Sequence, residues 1–155
     1  GADKIILNTG AFENQKLITQ AAERYGSQAV VVSIDYKIIE GQPTVFTNFG
    51  QKNTGKPVLD WVKECEVLGA GEIFLNSIDR DGKANGYDIE TINKVVASTK
   101  LPVIACGGAR SPEDFVDLAK KTGVAAIAAG NVFHFTELSY PRAKILLKKE
   151  GLNFR

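Results

Sequence analysis

Residues 29–35 read Ala-Val-Val-Val-Ser-Ile-Asp. A short, nearly continuous apolar run rich in Val and Ile is the pattern of a parallel strand buried on both faces. Asp35 closes it at the C-terminal edge, where a carboxylate at a desolvated position can serve as general acid or base. Taken singly, an Asp after a strand is more often a turn or cap residue. Upstream, Gly26 stops a helical pattern running from about Asn14 to Tyr25, with Leu17, Ile18, Ala21 and Ala22 on one face. Before it, Lys4–Leu7 is a short β-rich run ending in Asn8-Thr9-Gly10. Downstream, the polar, Gly-rich stretch from Tyr36 to Thr54 reads as a long loop carrying a hairpin around Thr44–Thr47.

The alternation then continues. Helix Val58–Leu68 sets Trp61, Val62, Cys65 and Leu68 on one face, and strand Glu72–Ile78 follows. The loop Asp79–Gly86 leads to a helix Asp88–Ser98, with Asp88 as N-cap. Strand Leu101–Ala105 precedes Gly107-Gly108, and Ser111 caps a helix Pro112–Lys121 that has Pro, Glu and Asp in its first turn. Strand Val124–Ala129 and a terminal helix Pro141–Glu150 complete the chain. Strands alternating with helices imply an α/β chain with parallel strands and right-handed crossovers. An open doubly wound sheet and a partial (β/α)₈ barrel both fit. A full barrel needs about 250 residues, so a single domain over 1–155 could supply only five of its eight strands.

Composition narrows the function. Apolar residues make up 44% and charged residues 24%, a globular balance that argues against a disordered chain. Nineteen Lys+Arg against eighteen Asp+Glu leave a net charge of +1, so no general attraction to nucleic acid or membrane is expected. Two cysteines, Cys65 and Cys106, suit a reducing cytoplasm. The opening Gly1-Ala2-Asp3-Lys4, in a chain without Met, reads as a cut or processed end. A lone His134, between Phe133 and Phe135, reads as a packing residue and argues against a His-based metal site; no metal and no cofactor are expected.

The unusual polar residues gather just after strands: Asn8-Thr9, Asp35, Asn76-Ser77, Asp79 and Asp81, Gly107-Gly108, and Gly130-Asn131. In both candidate folds that edge carries the site. Gly107-Gly108 before a capped helix would let a phosphate approach bare N–H groups, and Gly130-Asn131 offers a second such edge. Tight turns without ligand explain the same glycines equally well. Asp79 and Asp81 around Arg80 could hold hydroxyls or simply cap the turn. Cys65 reads as core, and Cys106, without a His neighbour, has no support as a nucleophile.

The stretches 1–9, 26–35, 52–55 (K-N-T-G), 69–73 (G-A-G-E-I), 77–82 (S-I-D-R-D-G), 86–88 (G-Y-D) and 133–135 (F-H-F) resemble the cyclase subunit of imidazole glycerol phosphate synthase. The similarity runs the length of the chain, and S-I-D-R-D-G-x-x-x-G-Y-D is its most specific part. The resemblance implies a (β/α)₈ barrel, with this chain covering barrel strands 4 to 8. It implies a cyclase that uses ammonia from a glutaminase partner to close an imidazole ring on a bis-phosphorylated ribulosyl substrate. The products are imidazole glycerol phosphate and an aminoimidazole carboxamide ribotide. Asp35 then matches a catalytic Asp, and Asn8 and Thr9 match contacts to one phosphate. Asp81, Gly82, Gly108, Gly130 and Asn131 fall at the other phosphate. Lys4 and Glu72 match half of a charged ammonia gate, and Asp3 a position that meets the glutaminase.

Departures from the family cluster near the pocket. The first three barrel strands, with the other catalytic Asp, are not in these residues. Cys106 stands where Ser is usual, Asn76 and Lys83 where Thr is usual, and Asn131 where Ser is common. A branch of the family found with surface-polysaccharide genes, passing ammonia to a sugar-linked substrate, is the alternative chemistry. A non-catalytic partial barrel, self-associating through open sheet edges, is the structural alternative.

Overall fold

A computed structural model describes residues 1–135 and 139–152. The elements in chain order are β1 (Ile5–Leu7), α1 (Thr9–Glu13), α2 (Lys16–Tyr25), β2 (Val30–Ile39), β3 (Gln42–Thr47), β4 (Lys52–Pro57), α3 (Val58–Val67), β5 (Glu72–Ser77), α4 (Ile89–Ser98), β6 (Val103–Cys106), α5 (Pro112–Lys121), β7 (Ala126–Ile127), α6 (Asn131–Phe135) and α7 (Ser139–Lys149). Strands β1, β2, β5, β6 and β7 pair in parallel, each crossover carrying a helix. Strands β3 and β4 extend the sheet antiparallel from the upper half of β2. The result is a partial (β/α) barrel, and among the described residues no strand pairs with the outer edges of β1 or β7.

Alternation along each strand divides the sheet into two faces. Val30, Val32, Ile34 and Tyr36 of β2, Ile73 and Leu75 of β5, and Val103 and Ala105 of β6 are buried. They join Ile18, Trp61, Val62, Cys65, Ile92, Val95, Phe115 and Leu118 of the helices in one core. Phe12 meets Trp61 edge to face, with centroids 5.0 Å apart. The opposite, concave face holds Ser33 and Asp35, Glu72, Phe74 and Asn76, and Ile104 and Cys106, all only partly buried. The run at 29–35 is thus buried on one face for its whole length but not on both: Ser33 and Asp35 open onto the concave side.

Three readings of the sequence need correction. The 36–54 stretch does carry the hairpin expected around Thr44–Thr47, but it is strand rather than long loop: β2 continues to Ile39, pairs Asp35 with Phe46 and turns at Gly41 into β3, and β4 follows. The helix read from Asn14 breaks into α1 and α2, because Asn14 is extended at its ψ of 86° and ends the first turn. Asn131–Phe135 forms a short helix that apolar spacing did not mark. The side chain of His134 lies outside the described residues.

Helix starts follow their caps. Asp88 accepts the Thr91 N–H at 3.3 Å and also the buried Tyr36 hydroxyl at 3.0 Å. Burial, then the Asp88 charge, pushes the Tyr36 phenol up. Ser111 and Asp114 form a reciprocal capping box, and Asp114 further takes the N–H of Arg110 and its guanidinium. Asp88→Ala loses the cap and orphans the Tyr36 hydroxyl, so urea unfolding of the whole protein should show a loss of about 1–3 kcal/mol. Burial holds the Cys65 thiol up at about 12, from 9.0. The unfolded chain therefore ionises first, and stability is full below pH 9 and falls as pH rises from there towards about 12. Cys65→Val should flatten that alkaline fall in a thermal-melt series.

Candidate functional site

The parallel register places Asp35 opposite Asn76, and Asn76 opposite Cys106, at the C-terminal ends of three neighbouring strands. Asn8, just past β1, reaches into the same row. Its Nδ2 donates to Asp35 Oδ2 at 3.0 Å and to Ser33 Oγ at 3.2 Å. Asn76 Nδ2 donates to Asp35 Oδ1 at 3.0 Å. Both carboxylate oxygens are therefore acceptors for neutral amide donors. Thr9 donates its hydroxyl to Asn8 Oδ1 and accepts the Asn48 N–H, so its side chain braces the β3–β4 turn against the site.

Below this row the concave face changes character. Ile6 pairs in register with Val31, and Ser33 with Phe74, which in turn pairs with Ile104. Among the described residues, Ser33 is the polar side chain of that middle layer. At the N-terminal ends of the strands, Lys4 and Glu72 form an ion pair at 2.7 Å. Lys4 is half exposed, and such a pair contributes about 0.2–1 kcal/mol, too little to lock it shut. Asp3 is exposed beside it.

A second cluster lies at the other end of the row. Asp81, Gly82, Gly107, Gly108, Ala109, Ala129, Gly130 and Asn131 line one small pocket. The loops after three strands build it, and bare backbone is a steric requirement there. A Cβ on Gly107 would stand 2.5 Å from the Ser77 carbonyl oxygen, and one on Gly108 2.2 Å from that of Gly86. Both residues also have φ near +100°, at 94° and 102°. Gly86 N–H bonds the Gly108 carbonyl at 2.8 Å, tying the Asp79–Gly86 loop to this turn. The N–H groups of Arg110 and Ser111, just ahead of α5, are already taken by Asp114.

The structure separates the acidic loop into roles. Asp79 accepts the Ile38 N–H and Arg80 donates to the Gly86 carbonyl, so both brace the fold, while Asp81 faces the pocket. Burial, then the Asp81 charge, pushes the Cys106 thiol up to about 11, which leaves it neutral and a poor nucleophile at neutral pH. Expected site residues thus fall in three groups: Asn8, Thr9 and Asp35 in the row, the Asp81–Asn131 set in the pocket, and Lys4 with Glu72 at the far end. Asn76 is marked in the sequence only as a polar strand-end residue near the pocket, without a role, and Ser33 is not marked at all. Their strand parity with Asp35 is the signal that would have found them.

The chain matches the model of a histidine biosynthesis protein family over residues 1–139. It is 52% identical over 155 residues to the imidazole glycerol phosphate synthase subunit HisF of Thermotoga sp. strain RQ2, covering all of this chain and 61% of that protein. Subunits of the same name from Natranaerobius thermophilus and Sulfurisphaera tokodaii are each 48% identical over the whole chain, which covers 62% and 61% of them. The chain spans about three-fifths of the length of these relatives. No described helix is long and apolar enough to cross a membrane. On the family match and these identities, the chain belongs to the histidine biosynthesis protein family.

Proposed function

We propose that these residues are the strand 4 to strand 8 portion of an ammonia-dependent cyclase of the imidazole glycerol phosphate synthase type, working in the cytoplasm. The observation that carries this reading is the row in which Asn8 and Asn76 hold both oxygens of Asp35, with a glycine-built pocket at its end. A bis-phosphorylated ribulosyl substrate needs two anion sites on either side of the reacting atoms. The Gly82, Gly107–Gly108 and Gly130–Asn131 pocket supplies one. Asn8 and Thr9, at the start of α1, contribute to the other. No cofactor and no metal take part.

Asp35 is the acid–base group. As ammonia adds to the ribulosyl carbon, the nitrogen must shed protons, and a fixed carboxylate accepts one and returns it to a leaving oxygen. Ammonia made elsewhere would be lost as ammonium in water, so it must arrive by a dry route. The concave face provides one, from the Lys4–Glu72 pair past Ile6, Val31, Phe74 and Ile104 to Asp35. A glutaminase subunit docked beside Asp3 would feed it. The second catalytic Asp belongs to strands outside residues 1–155, so full turnover requires the complete barrel. A second reading, favoured by Ile6 at 63% exposure next to the open edge of β1, is edge-to-edge pairing of two such chains. Mass in solution separates the two.

Two measurements on the whole protein test the reading, with ammonium salts as nitrogen source. Asp35→Asn should lower kcat about a hundredfold or more with the fold intact by circular dichroism; unchanged turnover would refute the assignment. Asn131→Asp places a charge in the anion pocket and should raise KM for the phosphorylated substrate about tenfold, with kcat within about twofold.

A further inference from the structure

Asn76 Oδ1 is, among the described residues, the one buried side-chain polar atom without a hydrogen-bond partner. The other end of the amide is committed to Asp35 Oδ1. Turning the amide over would bring its oxygen against the carboxylate, acceptor facing acceptor. The charge on Asp35 therefore decides which way Asn76 faces, and the unpaired oxygen is the consequence. Gly107 leaves the room for it: a Cβ there would stand 3.1 Å from Asn76 Oδ1. Asn8 is held differently. Its Nδ2 is shared by Asp35 and Ser33, and its Oδ1 takes the Thr9 hydroxyl, so it keeps its orientation without Asp35. A packing role for Asn76 would need no donor and would leave no acceptor bare.

We infer that Asn76 is a positioning residue for Asp35, fixing one carboxylate oxygen along the strand row so that the other side of the group meets the substrate in one orientation. The inference rests on reading Asp35 as the acid–base group. Its content is that the donor, not the volume, of residue 76 sets the rate of the chemical step.

Three variants of the whole protein test it, assayed with ammonium salts and the bis-phosphorylated ribulosyl substrate. Asn76→Leu keeps the volume and removes the donor. Asn76→Val removes the donor and is isosteric with the threonine variant. Asn76→Thr restores an O–H donor on a β-favouring residue. Loss of the donor should lower kcat about ten- to a hundredfold while KM stays within about twofold, and Asn76→Thr should stay within about fivefold of wild type. Equal kcat in all three, or a Thr variant no better than Leu, overturns the inference. A wild type without ammonia-dependent turnover overturns the cyclase reading instead. The positioning claim is then read from the side-chain amide resonances of ¹⁵N-labelled protein: the Asn76 pair should move towards free asparagine in Asp35→Ala, and an unmoved pair would refute it.

Discussion

The parallel register between β2, β5 and β6 is the constraint on which the site depends. It sets Asp35, Asn76 and Cys106 side by side at the same height and on the same face. A slip of one residue in β5 would turn Asn76 into the helix-packed core and bring Leu75 onto the concave face. The register is strongly specified because the alternate positions Ile73 and Leu75 are fully buried against the helices. Hydrophobic burial on the outer face thus fixes polar geometry on the inner one.

Along the strands the same alternation sorts the concave face by height. An ion pair marks the N-terminal ends, a mostly apolar layer lies between, and amides and a carboxylate stand at the C-terminal ends. The middle layer, Ile6, Val31, Phe74 and Ile104 with Ser33 among them, sets apolar side chains beneath Asp35. Bare glycine backbone and Asp81 line the same pocket at the end of the row. The neutral Cys106 thiol adds no further negative charge beside Asp81 and Asp35.

Much of this was legible in the residues. Val-Val-Val-Ser-Ile-Asp marked β2, Ser111-Pro112-Glu113-Asp114 marked the start of α5, and Asp88 was read as a cap and is one. Gly107, Gly108, Gly130, Asn131, Asp81 and Gly82, scattered over fifty residues, meet in one pocket because all follow strands of one parallel sheet. The extent of the hairpin was harder than its presence around Thr44–Thr47. Its partners are set by antiparallel pairing across Gly41 and Gly50, and local composition between Tyr36 and Thr54 resembles a loop. Asn76 was harder still: an Asn at a strand end is ordinary, and its importance comes from a neighbour 41 residues away. Chain-local patterns locate strand ends, but only the register shows which ends touch.

The proposed site is tested by a crystal structure of the whole protein soaked with a bis-phosphorylated ribulosyl compound. One phosphate should lie on the Gly82, Gly107–Gly108 and Gly130–Asn131 backbone, the other beside Asn8 and Thr9, and the sugar carbons against Asp35, with Asn76 still donating to its carboxylate. A ligand bound on another face, or one that leaves the glycine pocket empty while Asp35 faces only solvent, would contradict it.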